Sequence, residues 1–98
     1  MDRTYQTLNK NDRRFVDLNI DRKNGEAYVP SGASFEVRGH EKHNLVVPRT
    51  TATITFNKAS ALITETVTAS AGDYDIHWEI RKNGNKNYHC TRLLVVEC

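Results

Sequence analysis

The chain has little of what usually announces a function. Two cysteines and two prolines are present in 98 residues, with one tryptophan and one methionine. No apolar run approaches the roughly 20 residues of a membrane-spanning helix, so the expectation is no membrane partner. Residues 1–5, Met1-Asp2-Arg3-Thr4-Tyr5, lack the apolar core of a secretory leader, so synthesis in the cytoplasm is expected. Neither charge sign dominates: 14 basic against 12 acidic residues leave +2 with histidines neutral. That balance argues against nucleic acid as a partner, and Lys10, Arg13, Arg14, Arg22 and Lys23 near the start read as a solvated face. Cys90 and Cys98 are too few for a disulfide framework. On one extended strand they would lie roughly 26 Å apart at about 3.3 Å per residue, far beyond disulfide reach, so no disulfide is expected.

What the sequence does have is alternation. Apolar residues recur at period two, the pattern of strands with one buried face. Val16, Leu18 and Ile20 share one side of 15–20, and Ala33, Phe35 and Val37 one side of 33–38. In 51–56 Ala52, Ile54 and Phe56 oppose threonines, and Val47-Pro48 is expected to end a short apolar piece before them. Residues 58–62 are ambiguous with a helical turn, and Ile63, Glu65 and Val67 alternate into a further strand. The strictest segment is 72–81: Tyr74, Ile76, Trp78 and Ile80 lie on one face, Asp73, Asp75, His77, Glu79 and Arg81 on the other. A turn around Asn83-Gly84 leads to a last strand over 88–97. With no long amphipathic helix, these segments predict an all-β, antiparallel sandwich of about seven strands over 13–98. Residues 1–12 are expected to be a flexible lead-in or an edge strand.

A four-residue loop over 83–86 sets Ile76 opposite Leu93, Trp78 opposite Thr91 and Glu79 opposite Cys90. Tyr74, Ile76, Trp78 and Ile80 then enter the core with Val16, Leu18, Ile20, Phe35, Val37, Ile54, Phe56, Leu93 and Val95. Leu94 and Val96 are left facing outward beside Asp73 and Asp75. A strand apolar on both faces is normally covered on both; the cover is either the N-terminal segment or a loop, or another domain or subunit.

Candidate chemistry is thin. His40-x-x-His43 with Glu41 sits in a loop that fixes no ligand geometry, and His77 and His89 are expected on opposite faces. Asp73, Asp75 and Glu79 form an outward acidic row, read as an edge-protecting charge pattern, without the convergent oxygens calcium needs. No nucleophile elbow or phosphate loop is present. The expectation is a non-enzyme with no metal and no cofactor.

At Gly72-Asp73-Tyr74 a small loop, a glycine and a tyrosine opening the penultimate strand resemble the tyrosine corner of immunoglobulin-like sandwiches. Ile76 stands where an antibody domain has its second cysteine, and Trp78 lies on a late strand. The wider layout, from 15–20 and 33–38 through 62–67 and 72–80 to Leu93-Leu94-Val95-Val96, is similar to the N-terminal domain of tailed-phage upper baseplate proteins. That resemblance spans about 13–97 and implies a virion structural module. It would dock onto other tail or baseplate subunits, or onto itself, through the last strand. Such proteins continue beyond this domain, so the chain is expected to be an excised domain or a small stand-alone relative. The alternative is a carbohydrate-binding or adhesion module using loops 21–32 and 39–47, with Tyr28 and the histidine loop of His40 and His43 as sugar-stacking candidates.

Overall fold

The structure, a computed structural model, describes residues 5–20, 30–55, 58–82 and 84–97. Eight strands and one helical turn are found among them: β1 (Tyr5–Asn9), β2 (Arg14–Asn19), β3 (Gly32–Gly39), β4 (Leu45–Thr51), β5 (Thr53–Thr55), β6 (Lys58–Ile63), α1 (Glu65–Thr68), β7 (Gly72–Lys82) and β8 (Asn85–Val96). They form a five-stranded sheet, β1-β8-β7-β3-β4, and a three-stranded sheet, β2-β6-β5. The all-β class expected from the alternation is therefore present, in two sheets. No helix among the described residues is long and apolar enough to cross a membrane.

The core lies between the inner faces. From the larger sheet come Leu8, Ala33, Phe35, Val37, Tyr74, Ile76, Trp78, Ile80, Leu93 and Val95. Trp78 and Phe35 pack with ring centroids 6.0 Å apart and planes tilted by 44°, within the range of favourable aromatic pairs. The smaller sheet offers Val16 and Leu18 from β2, and Ala59, Ala61 and Ile63 from its central strand. Two alanines there are completely buried. They contribute little volume, so most of the bulk comes from the five-stranded sheet. Trp78 lies in this interior with its Nε1 donating to Thr91 Oγ1 at 3.0 Å, which satisfies both polar groups of the pair.

Four local expectations are corrected. First, β4 runs through Pro48 instead of ending before it. β4 is an edge strand, and its register against β3 slips between Phe35–Thr50 and Val37–Val47; edges and bulges are where a strand tolerates the missing N–H. Second, the strand and the helical turn exchange places: 58–63 is strand and 65–68 is helical. Ala59, Ala61 and Ile63 carry the period-two face, whereas Thr64 caps the turn by accepting from Thr66 N, a role hydroxyl side chains favour. Val67 is buried there instead of continuing a strand.

Third, Tyr5–Asn9 is a strand, paired with β8 in parallel, not antiparallel. Leu8 sits opposite Val95 with 3% of its surface exposed. The isolated Leu8 in a polar run hides this strand from periodicity, because a parallel edge strand of five residues needs only one apolar anchor. Fourth, the β7–β8 register is displaced by two residues. Lys82 pairs with Asn85, Trp78 with His89, Ile76 with Thr91 and Tyr74 with Leu93. Two residues separate Lys82 from Asn85, and Gly84 takes φ +81°, the left-handed conformation that tight hairpins demand and that Asn-Gly supplies. A two-residue slip keeps every side chain on its face, so burial alone cannot distinguish the registers. Phe56 lies outside the described residues, and Ile54 is only partly buried.

At the start of β7, Gly72 takes φ +148°, a conformation open to glycine and strained for other residues. Tyr74 Oη donates to the Ser70 carbonyl at 2.7 Å, clamping the loop before the strand. Desolvation raises the Tyr74 phenol above its ordinary pKa, because a buried phenolate loses water. The folded pKa thus exceeds the unfolded one, about 10. Its stabilising contribution is complete below that value and is lost as pH rises through the folded pKa.

Two outcomes are expected. Leu8→Ala should lower the urea-unfolding free energy by about 2–4 kcal/mol, whereas a flexible lead-in would give no change. Tyr74→Phe should cost about 1 kcal/mol at neutral pH and flatten the loss of stability above about pH 10, seen by thermal melts of both proteins across the alkaline range.

Candidate functional site

Alternation sends every second residue of β7, β8 and β3 to the outer face of the five-stranded sheet. The register then decides which of them meet. Across this face Glu36, His77 and Cys90 form one row, Arg38, Asp75 and Arg92 the next, and Ser34, Glu79 and Tyr88 a third. The acidic residues expected on an open face are in part enclosed: Asp75 and Glu79 are each 8% exposed. Arg49 reaches across from β4, with Nη1 donating to Ser34 Oγ at 3.0 Å and ion pairs to Glu36 and Glu79 at 3.7 Å each. Arg81 approaches Glu79 at 3.4 Å. The row is thus a salt-bridged layer, not an exposed charge stripe. Its arginines lie over the carboxylates, and carboxylates this buried require such partners.

The tightest part of the layer joins His40, Asp75 and Arg92. His40 Nδ1 lies 3.0 and 3.1 Å from the two Asp75 oxygens. Arg92 Nη2 lies 2.9 Å from His40 Nε2 and Arg92 Nε 3.5 Å from Asp75 Oδ1. Proton bookkeeping fixes the imidazole. A guanidinium only donates, so His40 Nε2 must accept, and Nδ1 carries the proton that goes to Asp75. In that arrangement His40 is an oriented donor to Asp75, and its ring closes the triangle between a loop and two strands. His40 N also donates to the Asp73 carbonyl at 3.0 Å, which fixes the loop against β7.

Beside this triangle, Asp75, His77 and the exposed Cys90 bring one ligand atom each within 4.8 Å of one another. Cys90 faces His77 and not Glu79 as the longer loop would have had it. His77 Nε2 is buried and has no hydrogen-bond partner. His89 pairs with Trp78, so it stays on the opposite face from His77. His43 and Glu41 are exposed in the loop, and His43 adopts φ +57°. Tyr28 and Cys98 lie outside the described residues.

The residues expected to form a docking strip are placed differently in detail. Leu94 is opposite Asp73, and Arg92, not Leu94 or Val96, is opposite Asp75. Leu94 and Val96 are half-buried, flanked by β1, whose Thr7 and Asn9 pair with them. β1 covers β8 only over 92–96. Among the described residues no strand lies along the outer edge of 85–91, and residues 85–90 are all exposed although Trp78, Glu79 and Ile80 across from them are buried. A second exposed apolar region lies elsewhere: Phe15 and Leu62, 56% and 38% exposed, flank a groove of about 400 Å³ walled by Val46, Val47 and Pro48.

No protein-family model matches this chain, and no curated protein is similar to it.

The enclosed network should matter more than exposed ion pairs. In metal-free buffer Asp75→Ala strands His40 and Arg92 without their acceptor and should cost about 2–3 kcal/mol. Lys10→Ala, which breaks the exposed Lys10–Glu97 pair, should cost under about 1 kcal/mol. Equilibrium unfolding of the two variants measures the difference.

Proposed function

We propose that the chain is a non-enzymatic assembly module, an immunoglobulin-like domain that docks onto other subunits of a larger particle through its last strand. The strand order supports the immunoglobulin-like part. With β2 to β8 taken as B, C, C′, D, E, F and G of such a domain, the smaller sheet is B-E-D and the larger G-F-C-C′, with β1 added beside G. α1 then falls at the E–F corner, where Tyr74 makes its backward bond. The disulfide position is filled by Ile76, in a core that holds Trp78 and Phe35. The phage-tail setting proposed, with protein made in the bacterial cytoplasm, rests on the likeness of the sequence pattern to tailed-phage baseplate domains.

The observation that carries the docking reading is the outer face of β8, where Leu94 and Val96 stand half-buried beside β1. A strand apolar on both faces is normally covered on both. Leu94 and Val96 continue the same strand as a half-buried apolar strip. The partner is a neighbouring subunit that packs over this strip.

Sedimentation velocity over a wide concentration range tests the self-docking form. Association is expected, and Leu94→Lys with Val96→Lys should abolish it while far-ultraviolet circular dichroism stays unchanged. A wild type that remains monomeric at high concentration overturns self-docking. For the phage setting, tail and host-lysis genes beside the coding sequence are the expected finding, and a locus without them overturns it.

A further inference from the structure

We propose that Asp75, His77 and Cys90 form a binding site for a divalent transition metal of the zinc class on the outer face of the five-stranded sheet. The ligand atoms already converge, within 4.8 Å of one another. Two features set this group apart from an ordinary surface cluster. One is the mixed donor set: a thiol, an imidazole and a carboxylate favour a borderline-soft ion such as zinc over calcium or magnesium, which take oxygens. The other is His77 Nε2, buried and without a hydrogen-bond partner. A buried polar atom left unmatched is uncommon, and this one belongs to an imidazole already grouped with a thiol and a carboxylate.

The framework for such a site is in place. His77 and Cys90 face each other directly across the β7–β8 ladder, and Asp75 lies two residues along on the same face. These are positions on paired strands, which hold ligands more rigidly than the His40–His43 loop would. Asp75 is oriented by His40 Nδ1 and Arg92 Nε. A carboxylate has about four lone-pair sites, so it can keep these partners and still present one to a metal, with His40 as the outer partner that fixes its angle. Three protein ligands leave one tetrahedral position for water or a further ligand, and exposed Cys90 lets solvent reach the site. On binding, the Cys90 thiol gives its proton to solvent and coordinates as thiolate. The metal then links β7 to β8 across their ladder. This inference does not depend on the docking reading, because the cluster is complete within one chain.

The probe is cobalt(II) added to the reduced full chain, followed by absorbance. The expected result is one equivalent bound, with a thiolate-to-cobalt charge-transfer band in the near ultraviolet and visible bands typical of tetrahedral cobalt, all displaced by zinc. Cys90→Ser should remove the charge-transfer band, and His77→Ala or His77→Gln should weaken binding at least about 10-fold. His89→Ala and Cys98→Ser should leave the spectrum unchanged. Absence of the band in the wild type overturns the proposal, as does a band that survives Cys90→Ser. Cys90 is exposed, so its substitution by serine tests coordination without disturbing the core.

Discussion

The short turn between β7 and β8 is the constraint on which the outer surface depends. Gly84 at φ +81° lets the chain reverse with two residues between Lys82 and Asn85. From that point the ladder fixes eleven successive pairs. One of them sets Arg92 against Asp75 and another sets Cys90 against His77. With a four-residue loop, Arg92 would have moved two positions toward the turn and Asp75 would have lost its guanidinium. The electrostatics of the face are therefore a consequence of backbone geometry at a glycine far from it.

The inner face was legible from the residues themselves. Strict alternation through Tyr74, Ile76, Trp78 and Ile80 identifies the buried side of β7, and Val16, Leu18, Phe35 and Val37 do the same for β2 and β3, because a half-buried strand must alternate. Leu8, Ala59, Ala61 and Val67 were not identified as core, for different reasons. Leu8 is a single apolar residue in a polar run. The two alanines are small enough to suit a helix or a strand. Val67 belongs to a helical turn whose signal, the capping Thr64, is one hydroxyl among many.

The outer face was legible as a list of charged residues but not as a network. Periodicity assigns a side chain to a face, and it is silent about sliding along the strand by two. The Asn83-Gly84 pair carries the missing signal, since that dipeptide favours two-residue hairpins. Weighing it above loop length would have placed Arg92 beside Asp75 and Cys90 beside His77. The His40 contact could not have been found this way, because it depends on how a loop folds back over β7.

The parallel pairing of β1 with β8 has a kinetic side. The partners Leu8 and Val95 lie far apart in sequence, so their contact closes a long loop. Loop closure of that span is costly before packing offsets it, and sheets dominated by distant pairings fold slowly. During synthesis β1 leaves the ribosome well before β8. Leu8 can then meet Val95 only after β8 has been made.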